Sequence, residues 1–184
     1  MNFRNTNRAW GTVSKTFHWL IVLMIIAQWV IAERADDLPN GMAKLQTLAL
    51  HKSIGMTVFM LAILRLVWRW ANPVPTLDGV TKGWERLAAG FSHVALYALI
   101  FAMPVSGWLM SSAHAYSVSW FSLFQWPDLV QPDHELSESL ESLHKLLFKI
   151  LVGVALLHVL GALKHHFIDR NEVLKRMLPF GGVK

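Results

Sequence analysis

Four of the nine histidines in this 184-residue chain lie in a stretch apolar enough to cross a membrane, ESLHKLLFKILVGVALLHVLGALKHH over residues 141–166, and two of them precede the closing pair His165 and His166. The earlier two are His144 and His158. Fourteen residues of helix bring the second imidazole back to within about 40° of the first, and about 21 Å further along the axis. Ionisable side chains within membrane helices are rare and mark function. Each has a counterpart of similar depth on another apolar segment: His51 matches His144, and either His18 or His93 matches His158. A pair of imidazoles at each of two levels is the ligand set that two stacked b-type haems require, because haem iron takes an axial nitrogen from each side of the ring. A zinc or copper site would instead gather ligands about 2 Å from one point, usually with carboxylates. No carboxylate is expected inside the spans, and His165 and His166 point to faces about 100° apart on a helix, so they form no chelating pair. His114 and His134 read as solvated loop residues.

The elements that must carry these histidines follow from composition. The chain is 54% hydrophobic and 16% charged, with a mean hydropathy of +0.38, whereas soluble domains carry roughly 25% charged residues. A bilayer-crossing helix needs about 20 predominantly apolar residues. Four segments qualify, at residues 17–32, 48–70, 87–110 and 143–167, the third with an expected kink at Pro104. The fold class is therefore an all-α membrane protein, a four-helix transmembrane bundle forming a single domain over residues 1–184. Zero cysteines exclude disulfides, thiolate metal sites, iron–sulfur ligation and covalently attached c-type haem. The first apolar run continues too far to read as a cleavable signal peptide. No nucleophile–base pair or phosphate-binding glycine loop points to a hydrolase or transferase, and no nucleic-acid partner is indicated.

Charge sets the expected orientation. Arg4, Arg8 and Lys15 precede the first span; Arg65, Arg69, Lys82 and Arg86 flank the second connection; Lys164, Arg170, Lys175, Arg176 and Lys184 follow or close the fourth span. The third connection, residues 111–142, has no Lys or Arg and five acids. Positive loops stay inside, so both termini are expected to be cytoplasmic. His51 and His144 then lie towards the outer surface, and His18, His93 and His158 towards the inner. The aromatic segment YSVSWFSLFQW, residues 116–126, is expected along the outer interface rather than across the membrane.

The chain resembles the small bacterial cytochrome b561 family of four-helix, di-haem membrane proteins. The resemblance is carried by FHW in the first span, LHKSIG in the second, RLVWRWANPVP after it, FSHVALYALIFAMPVSGW in the third, and ESLHK with HVLGALKHHFIDR in the fourth. It implies axial pairing of His18 with His158 on an inner haem and of His51 with His144 on an outer haem, which leaves His93 beside a haem without ligating it. It also implies superoxide oxidation at the outer face, with the electron passed through two haem b groups to ubiquinone in a bacterial inner membrane. The alternative is a haem b subunit of a quinone-linked dehydrogenase or hydrogenase complex, which would need a protein partner.

Around these positions, Gly55, Gly107, Gly153 and Gly161 either make room for porphyrin or serve small-residue helix packing. Arg65, fourteen residues after His51, is expected either to pair with a haem propionate or to snorkel to headgroups. Lys52, Lys145 and Lys149 cluster near the outer ligands and would form a positive funnel for a small anion. For quinone, His93, His165, Arg65 and Trp68 are the inner-side candidates.

Overall fold

The structure is a computed structural model that describes residues 2–76 and 83–179. Lys82 and Lys184, counted above towards orientation, lie outside the described residues. Four long helices dominate: α1 (Thr12–Asp37), α2 (Met42–Trp70), α3 (Gly83–Ala113) and α4 (His134–Phe167). All four are long and apolar enough to cross a membrane. A two-stranded hairpin, β1 (Ser119–Trp120) and β2 (Phe124–Gln125), lies between α3 and α4, and a short α5 (Val173–Met177) follows α4. In sequence order, each long helix packs on the next. The rings of Trp29 on α1 and Phe148 on α4, 5.9 Å apart, close the bundle.

Every long helix is longer than its apolar run. Apolarity marks the part that lipid must cover, whereas the backbone hydrogen bonds continue into polar flanks rich in good helix formers. The largest displacement of a single end is in α4, which begins at His134 rather than near 143. Asp133 starts it: its Oδ1 accepts from Leu136 N at 3.0 Å, with Glu135 in the first turn complementing the helix dipole. His134 is therefore the first residue of a helix, not a loop residue. It remains solvated, 3.7 Å from Glu138 with its side chain 85% exposed. His114 is exposed in the turn after α3. Through Pro104, α3 continues as one helix.

Large apolar side chains such as Leu23, Ile26, Leu156, Leu157 and Leu160 are exposed on the outside, as helices facing lipid require. The positions buried between helices are mostly small: Ser14, Ala35, Ser53, Ala62, Ser106, Ser112 and Ser137. Apolar side chains gain little by leaving lipid for a neighbouring helix, so close backbone approach and hydrogen bonds hold such a bundle together.

Each end of the bundle has its own fastening. At one end, Asn5 is buried and acts as a hub. Its Oδ1 accepts from Gly11 N at 2.9 Å and Ser14 Oγ at 2.7 Å, and its Nδ2 donates to Pro73 O at 3.0 Å. Trp68 Nε1 on α2 donates to Ser14 Oγ at 3.1 Å. The N-terminal segment, the start of α1 and the end of α2 thus share one network. At the same end Trp19 Nε1 donates to Met177 O at 2.9 Å, which brings the C-terminal α5 beside α1.

At the other end the hairpin packs on α2, pairing Ser119 with Gln125 and Trp120 with Phe124. Its tip carries two left-handed residues that are not glycine, Phe121 (φ 48°) and Ser122 (φ 60°). That conformation is uncommon for such side chains, and contacts to α2 hold it. Phe121 N donates to Ser53 Oγ at 3.1 Å, the Ser53 hydroxyl lies 3.0 Å from Ser119 O, and Trp120 Nε1 donates to Thr57 Oγ1 at 3.0 Å.

Asn5→Ala leaves buried partners unsatisfied and is expected to cost about 1–3 kcal/mol. Gly11→Ala places a Cβ 2.4–2.5 Å from the backbone of Phe3 and Arg4, atoms that cannot rotate away. Thermal unfolding in detergent should show a lowered midpoint for both variants, at least as large for Gly11→Ala.

Candidate functional site: two levels of histidine

At the hairpin end, His51 on α2 and His144 on α4 face each other with ring centres 6.5 Å apart and planes at 73°. His144 lies against α3. Its Nδ1 is 2.9 Å from Ser106 Oγ, and a Cβ on Gly107 would sit 3.2 Å from its Cε1. A side chain at 107 would fill the cradle that holds this ring. His51 Nδ1 is buried without a hydrogen-bond partner, and the Gln28 backbone carbonyl is the acceptor facing the ring. Gln28 also donates from Nε2 to His51 O at 2.9 Å. Gly55 allows this approach, since a Cβ there would meet Gln28 Nε2 at 3.0 Å.

At the end carrying the termini, the rings of His93 on α3 and His158 on α4 touch edge to face, with centres 5.2 Å apart. His18 on α1 is at the same level, within electrostatic reach of His158, His93 and Arg65, and its ring lies against Trp19. The spacing that left His18 and His93 as alternatives therefore gathers both beside His158. Arg65 Nε donates to Tyr97 OH at 3.1 Å, which ties α2 to α3 at this level.

The remaining candidates are placed less uniformly. Lys52 donates to Ser111 Oγ at 3.0 Å and lies 3.4 Å from Tyr116 O, so it fastens the start of the hairpin segment to α2. Lys145 pairs with Glu141 at 2.6 Å. Lys149 is exposed. The three lysines are thus not three unpaired charges. Gly153 and Gly161 have nothing within 4 Å of where a Cβ would stand, so of the four glycines singled out only Gly55 and Gly107 make close approaches. The indole N–H of Trp68 is committed to Ser14. His165 Nδ1 lies 2.8 Å from Asp169 Oδ2.

A buried carboxylate stands just outside the expected third span, at Glu85. It falls in the first turn of α3, which starts before the apolar run, and its side chain is only 6% exposed. Lys164 at the end of α4 pairs with it and, at 2.8 Å, with Asp169. Glu85, His165 and Asp169 bring their ligand atoms together, but the Lys164 ammonium already supplies their counter-charge. Its hydrogen bond holds the Asp169 carboxyl below the ordinary carboxylate range. With the folded-state value depressed, this contact is intact above the ordinary range and is lost only as pH falls below it.

Residues 9–180 match the family described as Prokaryotic cytochrome b561. The chain belongs to that family. It is similar to Cytochrome b561 homolog 2 of Escherichia coli (strain K12), 34% identical over 183 residues that cover 97% of this chain and 95% of the relative. It is also similar to a Probable superoxide oxidase CybB of Yersinia pestis, 29% identical over 167 residues, 88% of this chain and 91% of the relative. A third relative, Cytochrome b561 homolog 1 of Escherichia coli (strain K12), is 25% identical over 163 residues, with 88% of this chain and 92% of the relative covered. Membership makes the chain a membrane electron-transfer protein of the oxidoreductase class, and the family implies haem b.

The residues present fit that cofactor. Two imidazole nitrogens, each about 2 Å from a metal on opposite sides, put the ring centres roughly 6 Å apart, and the His51–His144 separation is 6.5 Å. The His93–His158 contact at 5.2 Å is shorter than such an arrangement needs. Sequence reasoning missed Ser106, Gln28, Tyr97, Asn5 and Glu85. A polar residue inside an apolar run is the available signal for Gln28 and Ser106. Nothing local marks Asn5 or Glu85, whose partners Pro73 and Lys164 are 68 and 79 residues away.

Two outcomes follow. Gly107→Ala crowds the His144 ring and should lower the haem content of the purified protein or alter its reduced spectrum, whereas Gly153→Ala should leave both unchanged. Glu85→Gln strips the part-exposed Lys164 of its buried partner; thermal unfolding should register a lowered midpoint, by less than loss of a fully buried pair would cause.

Proposed function

We propose that the bundle holds two haem b groups, one between His51 and His144 and one between His18 and His158, and carries electrons across a bacterial inner membrane. The observation that carries this reading is the facing of His51 and His144 at a separation suited to a metal between them. A second imidazole cluster stands fourteen residues further along α4, about 21 Å away. Bound haem supplies a one-electron redox couple at each level. The chain's own contribution is to present neutral imidazole nitrogens from separate helices, to exclude water from them, and to place cations beside them. Arg65, held by Tyr97 through Nε, has further N–H donors for a haem propionate. His93 buttresses His158 from α3.

In the proposed orientation the termini are cytoplasmic and the hairpin faces outward, as the lysine- and arginine-free third connection supports. The donor proposed at that face is superoxide, which the name of the Yersinia pestis relative favours. Two superoxide anions each lose one electron and leave as dioxygen, while ubiquinone gains two electrons and two protons to become ubiquinol. Lys149, together with Lys52 beneath the hairpin, supplies positive charge near His51 and His144. Lys145 contributes less, because Glu141 offsets it.

The test is a haem-to-protein ratio with reduced-minus-oxidised spectra. Wild type should carry two haems; His51→Ala and His158→Ala should each lose a different one. The purified chain alone should reduce ubiquinone when given superoxide. One haem in wild type would overturn the ligand assignment, and activity appearing only with a co-purified partner would overturn the superoxide reading in favour of a subunit of a larger complex.

A further inference from the structure

We infer that Ser106 is a positioning residue for His144: its hydroxyl oxygen holds the imidazole proton on Nδ1 and leaves Nε2 as the electron-pair donor facing His51. This rests on the proposed role of His144 as a haem ligand and goes beyond it, because it assigns the tautomer and its controlling group.

The argument is one of counting hydrogens. A serine hydroxyl has one proton and two acceptor lone pairs. The Ser106 proton has an acceptor within its own helix, Met103 O at 2.9 Å. Ser106 Oγ is then an acceptor towards His144 Nδ1, also at 2.9 Å, and Nδ1 must carry the hydrogen. With Nδ1 protonated, the lone pair of a neutral imidazole resides on Nε2. The next residue completes the seat: Gly107, lacking a side chain, lets the ring's Cε1 come close to α3. Ser106 is 4% exposed, so water does not compete for this hydrogen bond.

The opposing ligand is treated differently. No side-chain hydroxyl bonds to His51 Nδ1, which is buried, and the acceptor facing that ring is the Gln28 backbone carbonyl. The two imidazoles at one level are therefore unequal. An N–H donated to an oxygen raises the basicity of the other ring nitrogen and orients the ring. A more basic nitrogen favours the oxidised metal, so Ser106 lowers the reduction potential of the haem at this level and leaves the other haem untouched.

The experiment is redox potentiometry and low-temperature EPR on detergent-purified holoprotein, comparing wild type, Ser106→Ala, Ser106→Thr and His144→Ala. Ser106→Ala should keep both haems and raise one midpoint potential, with a changed low-spin EPR signal for that haem alone. Ser106→Thr, which retains the hydroxyl, should restore the wild-type value. Loss of that haem in Ser106→Ala with retention in Ser106→Thr would also support the assignment. Unchanged potentials in Ser106→Ala with both haems present would overturn it, as would equal shifts or equal haem loss in the Ala and Thr variants. If His144→Ala kept both haems, the ligand assignment would fail instead, which separates the two claims.

Discussion

The bundle depends on bringing imidazoles on different helices close together in a medium that solvates nothing. A polar group buried without a partner costs several kilocalories per mole, so each ring must be seated by a neighbour or by what it binds. His144 is seated by Ser106 and Gly107, and His158 by His93. The seats lie on α3. The third helix is thus the reference surface for the fourth, and α2 and α1 bring the opposing rings to it.

Such seating works only if helix positions are fixed to fractions of an ångström, and lipid gives no hydrophobic force to press helices together. Hydrogen bonds at the two ends do part of that work. Asn5, Ser14 and Trp68 join three segments at the end with the termini, and the Glu85–Lys164 pair joins the start of α3 to the end of α4. At the opposite end Ser53, Thr57 and Lys52 hold the hairpin segment. These fastenings hold the ends of the helices that carry the histidines.

How far the sequence revealed this depends on whether the signal was periodic. Apolar runs of about 20 residues located four helices, and the fourteen-residue interval placed His144 and His158 on one face, because helix geometry alone determines both. The helix ends were displaced outward, most at α4, because hydropathy detects lipid contact while Asp133 and Glu135 start the helix by capping and dipole chemistry. The choice between His18 and His93 was not legible: both have the right depth, and the structure gathers both at His158. Lys52 read as a surface charge because its partners, Ser111 and the Tyr116 carbonyl, are about sixty residues away. Interactions at that separation leave no periodic trace.

The hairpin's dependence on Ser53 carries an implication for biogenesis. Its tip holds two residues in a backbone conformation that neither favours, and the groups that satisfy that tip belong to a helix synthesised some sixty residues earlier. The turn therefore cannot mature on its own as it is synthesised. It settles when the second helix is already inserted and presents its serine and threonine. The edge of the bundle beside His51 is thus completed only against a helix already in place.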